Sequence, residues 1–452
     1  MPSATLGYAP DLEKYLKSLK GLPLEASVES LISLLKRRQI RDPEPCAVAT
    51  AHILLQVVAK SKWHDVDSLI NNVSRTGRRL ASAQPRELVI GNIVRRVLGL
   101  IRDEAAEDRA DGGNHSDSQS ETSPNDGVEK RWTPSTASSN AVAKQDSAGD
   151  YLSSAAVKPT PRPGPPVSYS AVNVPKSLFH LLAQTDPSDT ESNGLGTPFG
   201  NSGTSTPQRG HTSAQVYALR AEVIEAIEEI KDEISQVDDQ IAAMAEVHVH
   251  PGDYVLVHQP SPTVEKFILR AALRRKFIVL IAIDPSDNID GRVQYASFRK
   301  KLIAAGISVI NVSNAGLACY MPRVNRVLLG ARAIVANGGV VTDAGAVALS
   351  RSAKQKGIAV VVLGGVYKLS PQSPFSISST IEWGNPSAHV NFSNGPLVEG
   401  AEVMDGITEL VPAEMIDTYI SNLGTHSSDD LSSLISDHYK QEDIDFHLGN
   451  DR

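Results

Sequence analysis

The sequence predicts an α/β protein in which an N-terminal helical domain precedes a Rossmann-like domain with a parallel sheet. Apolar residues recur every three or four positions in the first hundred residues, as they do on the buried face of helices. After residue 250, short runs rich in β-branched residues alternate with helical patterns, which is typical of parallel sheets. Arg326–Gly330 and Ile358–Leu363 are two such runs. Between them, Asn337–Gly339 predicts a turn, and Thr342 or Asp343 is expected to cap the following helix.

The first region, residues 8–105, is expected to fold as a helical domain. Pro43, Pro45 and Pro85 stand where helices should start, and Gly21–Pro23 separates the first pair of helices. No metal-ligand or catalytic spacing occurs in it. We therefore interpret it as a module for packing or recognition.

The second region, residues 106–211, is expected to be a disordered linker. It is rich in Ser, Thr, Asp, Gly and Pro and has few large apolar residues. Such a segment buries too little surface to offset the entropy lost on ordering. A short tail, residues 441–452, is expected after the last domain.

The third region, residues 212–248, predicts one long helix that continues the helical domain. Apolar residues repeat every seven positions with a second set between them, which forms a continuous seam. Acidic residues cluster on the opposite side, among them Glu222, Glu225 and Glu229. These carboxylates are interpreted either as a solvated face or as a docking surface for a basic partner.

The fourth region, residues 249–440, predicts the Rossmann-like domain. Its expected helices are Thr263–Arg275, Arg292–Ala305 and Asp343–Gln355. Its expected strands are Tyr254–Val257, Phe277–Ile283, Ile307–Val312, Arg326–Gly330 and Ile358–Leu363.

Composition excludes several classes of protein. The 452 residues carry a formal net charge of −8, which argues against a dedicated nucleic-acid binder. Two cysteines cannot form a disulfide framework or a four-thiolate zinc site, and they fit a reducing compartment. The first residues lack the pattern of a signal peptide, and no apolar run approaches the ~20 residues of a membrane span. We therefore expect a cytosolic protein that contacts neither membrane nor nucleic acid directly.

Four segments carry a resemblance to a known family: SPTVEKFILRAALRRKF, YMPRVNRVLLGARAIVANGG, KLSPQSPF and VPAEMIDTYISNLG. In this order they resemble the fold shared by the sugar-phosphate aldose–ketose isomerases and the regulatory subunits of the guanine-nucleotide exchange factor for eukaryotic translation initiation factor 2. The resemblance covers Val216–His438 and is strongest to the beta branch of those subunits. It implies a Rossmann-like domain of the sugar-phosphate isomerase-like type.

The isomerases of this fold use a cysteine, an aspartate, an arginine and a lysine, and the resemblance places other residues at those positions. Gln259 stands at the cysteine position and offers no thiolate. Arg332 stands at the aspartate position, and a guanidinium cannot act as a base. Ser286 replaces the phosphate-binding arginine. Asp343 replaces the lysine and would repel a phosphate. The resemblance therefore implies that this chain has no catalytic residue.

Other residues could carry chemistry, and each also has a structural interpretation. Cys319 lies in a helical stretch, so we expect a buried apolar residue rather than a nucleophile. Asp284 and Asp287 could supply a base, but capping of a turn explains them equally well. His248 and His250 lack nearby further ligands for a metal, so we expect them to pack or to lie at an interface. Neither a phosphate-binding loop nor a dinucleotide-binding spacing of glycines occurs, so no cofactor is expected.

The resemblance implies a non-catalytic regulatory subunit. In that family, alpha, beta, gamma, delta and epsilon subunits assemble, and the gamma and epsilon subunits carry the exchange work. The alpha, beta and delta subunits recognise initiation factor 2 through its alpha subunit, whose phosphorylation turns this factor from substrate into inhibitor. We therefore expect the other four subunits and initiation factor 2 as partners. The alternatives are a sugar-phosphate isomerase with a rearranged active site and a scaffold unrelated to translation.

Overall fold

The structure, a computed structural model, describes residues 11–113, 213–283, 295–313, 316–372, 381–384, 390, 393 and 400–446. The predicted linker lies outside these residues from residue 114 onward, and so do the last six residues of the predicted tail. The described helical and α/β regions share one hydrophobic core and belong to one unit. The helical region therefore packs directly on the sheet domain.

Five helices form the N-terminal region. Helix α3 begins at Pro43, as predicted, because the ring of proline fixes a helical φ where no backbone donor is needed. Helix α5 begins three residues after Pro85 and continues beyond residue 106, the predicted start of the linker. The bounds are α1 Leu12–Leu19, α2 Leu24–Lys36, α3 Pro43–Lys60, α4 Val66–Ala83 and α5 Leu88–Gly113.

The long predicted helix is divided in two. Helix α6 spans Ser213–Ala243, and the short helix α7 spans Ala245–His248 after a break at Met244. The expectation of one unbroken helix was therefore wrong at its end, where the chain turns and buries Ala245 and Val249 before the first strand. The predicted apolar seam of α6 is confirmed at its buried members, which are Val223, Ile227, Ile230, Ile234, Val237 and Ile241. The predicted members Val216 and Met244 are half-buried against the same core, and Leu219 is buried there in addition.

A seven-stranded sheet forms the centre of the α/β domain. Its strands lie in the order β11-β10-β7-β4-β1-β2-β3, and all neighbouring pairs are parallel except β10 with β11. The parallel part confirms the predicted fold class. The bounds are β1 Tyr254–His258, β2 Ile278–Ile283, β3 Ser308–Ser313, β4 Arg326–Gly330, β7 Ala359–Leu363, β10 Thr418–Ser421 and β11 Gly424–His426.

A second sheet was not predicted. Its strands lie in the order β8-β5-β6-β9, and the turn at Asn337–Gly339 joins β5 to β6 as a hairpin. Our interpretation of this turn as the link from a strand to a helix was wrong, because an Asn-Gly pair also suits a hairpin. The bounds are β5 Ala333–Val335, β6 Val340–Asp343, β8 Leu369–Ser370 and β9 Thr408–Val411.

The helix after this hairpin begins later than predicted. Gly345 is the residue that precedes it, with φ of 99°, so neither Thr342 nor Asp343 caps it. A Cβ atom at Gly345 would lie 3.0 Å from the ring of His258, so a glycine suits this close approach as well as the positive φ. The described helices of the α/β domain are α8 Pro262–Ala272, α9 Ala296–Ala304, α10 Leu317–Tyr320, α11 Ala346–Gln355 and α12 Asp430–His438.

Helices cover both faces of the large sheet. Val255 and Val257 of β1 point into a core shared with α6, α8, α9 and the N-terminal helices. Leu256, which lies between them, points to the opposite face and packs in the core that includes residues of α11 and α12. This alternation is why the strands of a parallel sheet read as continuous apolar runs. None of the described helices is long and apolar enough to cross a membrane.

Candidate functional site

The large sheet has a switch point between β1 and β4. The chain runs outward from β1 to β2 and β3 and then returns to β4 on the other side of β1. In open parallel sheets, ligands bind outside the carboxyl ends of the strands at such a point. Gln259 follows β1 there, and Arg332 follows β4 by two residues. The structure thus places two of the predicted positions at the edge where a ligand would be expected.

Gln259 is half-buried, with φ of 40°, a conformation that non-glycine residues rarely adopt. The preceding His258 is buried, and its Nε2 lies 2.8 Å from the carbonyl oxygen of Ala344, which accepts the hydrogen bond. Its Nδ1 is buried without a partner among the described residues. The side chain that follows β1 is therefore a neutral amide beside a histidine bound to the backbone.

Arg332 forms two ion pairs. Its Nε lies 3.0 Å from Oδ1 of Asp343, at the end of β6, and its Nη2 lies 3.1 Å from Oδ1 of Asp42, which precedes α3. Burial lowers the pKa of Arg332, but neighbouring carboxylates, chiefly Asp343, raise it more, so the pKa lies above its ordinary value. The structure therefore brings Arg332 and Asp343 into direct contact, where each neutralises the other.

Two further charged residues near Arg332 were missed by the sequence analysis. Lys368, directly before β8, is 4% exposed, and burial lowers its pKa although the carboxylates of Asp238, Glu44 and Glu87 oppose this. Burial raises the pKa of Glu87 to about 7. Lys368 is the first residue of the segment KLSPQSPF, which was a signal that could have found it, whereas nothing in the sequence pointed to Glu87. We call Arg332, Asp343, Asp42, Glu87 and Lys368 the strand-end charges.

One thiol lies within electrostatic range of the strand-end charges. Cys46 of α3 is fully buried, and its Sγ lies 4.0 Å from the carbonyl oxygen of Ile40. Burial is the main cause that raises its pKa well above the ordinary value. A thiol attacks as its thiolate, so Cys46 is an unreactive side chain of the core.

The strand-end charges can bind or repel an anion, but they form no pair of nucleophile and base. Arg332 and Lys368 are cations, and Asp343 is engaged with Arg332. Glu87 has a pKa near neutrality, which is the property of a general base. In the described residues, no reactive thiol or hydroxyl is shown in hydrogen-bond contact with it.

A second candidate surface lies on the outer side of α6. Glu222, Glu225 and Glu229 are exposed, and their spacing of three and four residues places them on one face of the helix. The seam on the opposite side is buried. We call these three residues the acidic face. The acidic face is accessible from solvent.

The remaining candidates have varied outcomes. Cys319 lies in α10 and is exposed, so the expectation that it is buried was wrong, because this helix has only four residues and buries none.

Nε2 of His248 lies 3.0 Å from Oγ1 of Thr425, and Nδ1 of His250 lies 3.2 Å from Nη2 of Arg326. The described residues contain no group of three or more His, Cys, Asp and Glu side chains suited to a metal. The other three candidates, Ser286, Asp284 and Asp287, lie outside the described residues.

Comparison with known proteins decides the family. The model of the initiation factor 2 subunit family matches residues 39–428. The chain belongs to this family. Translation initiation factor eIF2B subunit beta of Schizosaccharomyces pombe is 32% identical over 418 residues, which make up 92% of this chain and 96% of that protein. The predicted resemblance to the beta branch is thereby confirmed.

Solved structures agree with this family. The crystal structure of eIF2B beta from Chaetomium thermophilum is 38% identical, with a TM-score of 0.65, and covers 98% of this chain and 100% of that one. The tetrameric eIF2B-beta2-delta2 complex from C. thermophilum contains a chain that is 36% identical, with a TM-score of 0.61, over 95% of this chain and 100% of that one.

Part of this chain also resembles an enzyme. Ribose 1,5-bisphosphate isomerase of Pyrococcus furiosus is 24% identical over 216 residues, which cover 47% of this chain and 65% of the isomerase. A likeness of this extent is evidence of a related fold and not of a shared activity. The residues at the switch point must therefore decide whether catalysis is retained.

Proposed function

We propose that this chain is a non-catalytic regulatory subunit of the exchange factor for translation initiation factor 2, and that it acts in the cytosol. The observation that carries the proposal is the ion pair of Arg332 with Asp343 at the switch point, 3.0 Å from nitrogen to oxygen. If these residues occupy the aspartate and lysine positions of the isomerases, the base has become a permanent cation that neutralises its neighbour. Gln259 offers no thiolate beside them.

The partners follow from the relatives. The beta2-delta2 complex of C. thermophilum supports a delta subunit as a direct neighbour. We propose that alpha, gamma and epsilon subunits complete the assembly and that the catalytic work lies in other chains. Purification of the endogenous protein, followed by mass spectrometry, tests this. Recovery of the chain without any of these subunits would contradict it.

The acidic face of α6 is our proposed contact with the alpha subunit of initiation factor 2. Its carboxylates are exposed, while the seam behind them holds the helix against the core. A phosphoserine adds about −1.5 to −2 charge, so phosphorylation near this contact would weaken it and allow the subunit to sense that modification. This role rests on the exposure and charge of Glu222, Glu225 and Glu229.

Charge reversal tests this contact. Glu225→Arg with Glu229→Arg, in the reconstituted complex, is expected to slow exchange on unphosphorylated initiation factor 2 severalfold at low salt while assembly stays intact. The matched control is Glu402→Arg with Glu414→Arg, which changes two exposed carboxylates elsewhere in the α/β domain. If both pairs slow exchange equally, net charge rather than the acidic face is responsible, and the proposal fails.

An isomerase with a rearranged site is the second candidate. Glu87 favours it, because a carboxyl group with a pKa of about 7 has the basicity of a proton-transfer catalyst. Incubation of the purified chain with a pentose bisphosphate or with methylthioribose phosphate decides between the two. Turnover that Glu87→Gln abolishes would establish the enzyme and overturn the regulatory proposal.

A further inference from the structure

A cavity separate from the strand-end ion pairs lies in the helical region. It has a volume of about 670 Å³ and opens between α4, α5, Gln372 and Phe446. Sites for small molecules commonly measure roughly 300–1,000 Å³. The lining does not include Arg332 or Asp343, but it shares Glu87 with the strand-end charges. We call this cavity the arginine pocket because its lining contains Arg75, Arg78, Arg79 and Arg95.

The arginines differ in how far their charges are already neutralised. Arg79 is held by α2, since its Nη1 lies 2.7 Å from Oε1 of Glu25 and its Nη2 bonds to Glu29. Arg75 is exposed, and its Nη2 donates to Oδ1 of Asn72 at 3.1 Å. Asn72 is neutral, so the positive charge of Arg75 is available at the mouth of the pocket.

Arg95 is the most unusual of the four. Only 1% of it is exposed, and its Nε donates to the carbonyl oxygen of Ile444 at 2.9 Å. Its guanidinium lies 5.2 Å from the centroid of the Phe446 ring. Within the part of the chain that the structure describes, no carboxylate forms a salt bridge with Arg95. Burial lowers its pKa to about 10, so the side chain is still a cation at neutral pH.

Asp445 attracts Arg95 electrostatically, but among the described residues it does not form an ion pair with it. A buried charge without an ion-pair partner is costly, and such a group is stabilised when an anion binds beside it. The one carboxyl group in the described lining is Glu87, and burial raises its pKa to about 7, so it is only partly ionised at neutral pH. The electrostatic balance of the pocket therefore favours an anionic ligand.

Two further features define the rest of the ligand. Oε1 of Gln84 is buried without a hydrogen-bond partner among the described residues, and Gln84 itself is 3% exposed. An oxygen of this kind accepts a hydrogen bond from a hydroxyl group. Leu88, Pro85 and Phe446 give the pocket an apolar wall, which suits a ring.

We propose that the arginine pocket binds a phosphomonoester whose body carries hydroxyl groups and a ring. The planar fork of an arginine matches the oxygens of a phosphate, which favours this anion over a simple halide. The site is independent of the proposed role in nucleotide exchange, since it does not include the acidic face of α6.

Titration calorimetry of the full chain tests the proposal with three probes: inorganic phosphate, glycerol 3-phosphate and adenosine 5′-monophosphate. The expected affinities rise in this order, because each probe adds a feature that the pocket can bind. Arg75→Glu is expected to weaken binding of the nucleotide about tenfold or more. Its control, Arg86→Glu, changes an exposed arginine that does not line the pocket and is expected to leave the affinity unchanged.

Gln84→Leu separates the hydroxyl contact from the phosphate contact. It is expected to weaken glycerol 3-phosphate and the nucleotide while leaving inorganic phosphate unchanged. Arg332→Ala is expected to have no effect on any probe. The proposal is overturned if no probe binds, if Arg75→Glu and Arg86→Glu act equally, or if Arg332→Ala abolishes binding that Arg75→Glu retains. The last result would place the ligand at the ion pair of Arg332 with Asp343 instead.

Discussion

The strand-end charges and the acidic face of α6 are two groups of charged side chains in different surroundings. At the switch point, Arg332 contacts two carboxylates and is only 23% exposed. On α6, Glu225 and Glu229 point into solvent. A charge that is half-buried and paired is neutralised within the protein, whereas an exposed carboxylate can be neutralised by a partner. In this protein, the charges at the edge of the sheet are paired with one another, and the carboxylates of the acidic face are the ones that a partner can reach.

Helix α6 connects the two regions. On its inner side, Asp238 is 7% exposed and accepts a hydrogen bond from Oγ1 of Thr263 at 2.7 Å. Asp238 also acts electrostatically on Lys368. On its outer side lies the acidic face. The same helix thus contributes to the buried charges and presents the exposed ones, so changes in its buried seam and on its acidic face should have distinct effects.

The largest effect is expected in the seam of α6. Ile227→Ala removes a fully buried side chain from the core shared by the helices and the sheet. The expected loss is about 2–5 kcal/mol of unfolding free energy, from lost burial and the cavity left behind. Denaturation in urea measures it. Glu228→Ala, an exposed neighbour, is the control; if it destabilises the protein equally, the seam does not hold α6.

Much of this seam was predictable, because its period of seven is a local property of the sequence. The strands β1 and β4 were also predictable from short runs of β-branched residues. The hairpin at Asn337–Gly339 was not, since the same turn signal fits a hairpin and a link to a helix. Tertiary contacts were the least accessible: Asp42 and Arg332 meet across 290 positions of sequence.

The candidate site, like the fold, was predictable only in part. The resemblance pointed to Gln259, Arg332 and Asp343, and the structure brings the last two into contact. It could not reveal that Glu87 lies near them, because burial rather than any motif perturbs this carboxyl group. A pKa depends on the surroundings that folding creates, and these surroundings come from α5, the second sheet and α3 together.

The next effect concerns pH and tests how strongly burial acts on Glu87. Its folded pKa of about 7 lies above the ordinary 4.5, so the folded state holds a proton that the unfolded state releases. Stability should therefore fall as pH rises from about 4.5 to about 7 and level off above that range. Glu87→Gln removes this titration, so the variant is expected to be more stable than the parent by about 1–3 kcal/mol at pH 8.

Urea denaturation at pH 5 and pH 8 measures this difference. At pH 5 most of the advantage of Glu87→Gln should disappear, because Glu87 is then protonated in the folded parent. The matched control is Glu414→Gln, which changes an exposed carboxyl group. A stability difference for Glu87→Gln that is the same at both pH values would show that burial does not shift this group.

A smaller effect is expected from the ion pairs at the switch point. Arg332→Ala leaves Asp343, which is 21% exposed, without its cation. The expected cost is about 1–2 kcal/mol, because these groups are partly solvated. The double variant with Asp343→Ala should lose less than the sum of the two single losses, since the partner is then gone as well. Arg351→Ala, an exposed arginine, is the control. Strict additivity would mean that the pair contributes no coupling.

The smallest effect on stability is expected on the acidic face. Glu225→Arg with Glu229→Arg should change the free energy of unfolding by no more than about 0.5 kcal/mol, because exposed charges interact weakly through water. Both side chains lie opposite the seam, so the core is untouched. If the variant nevertheless slows exchange, and the slowing shrinks as salt shortens the range of electrostatic attraction to about 10 Å at 0.1 M, the effect belongs to docking. A large loss of stability would instead mean that these carboxylates serve the fold, and the contrast between the two regions would fail.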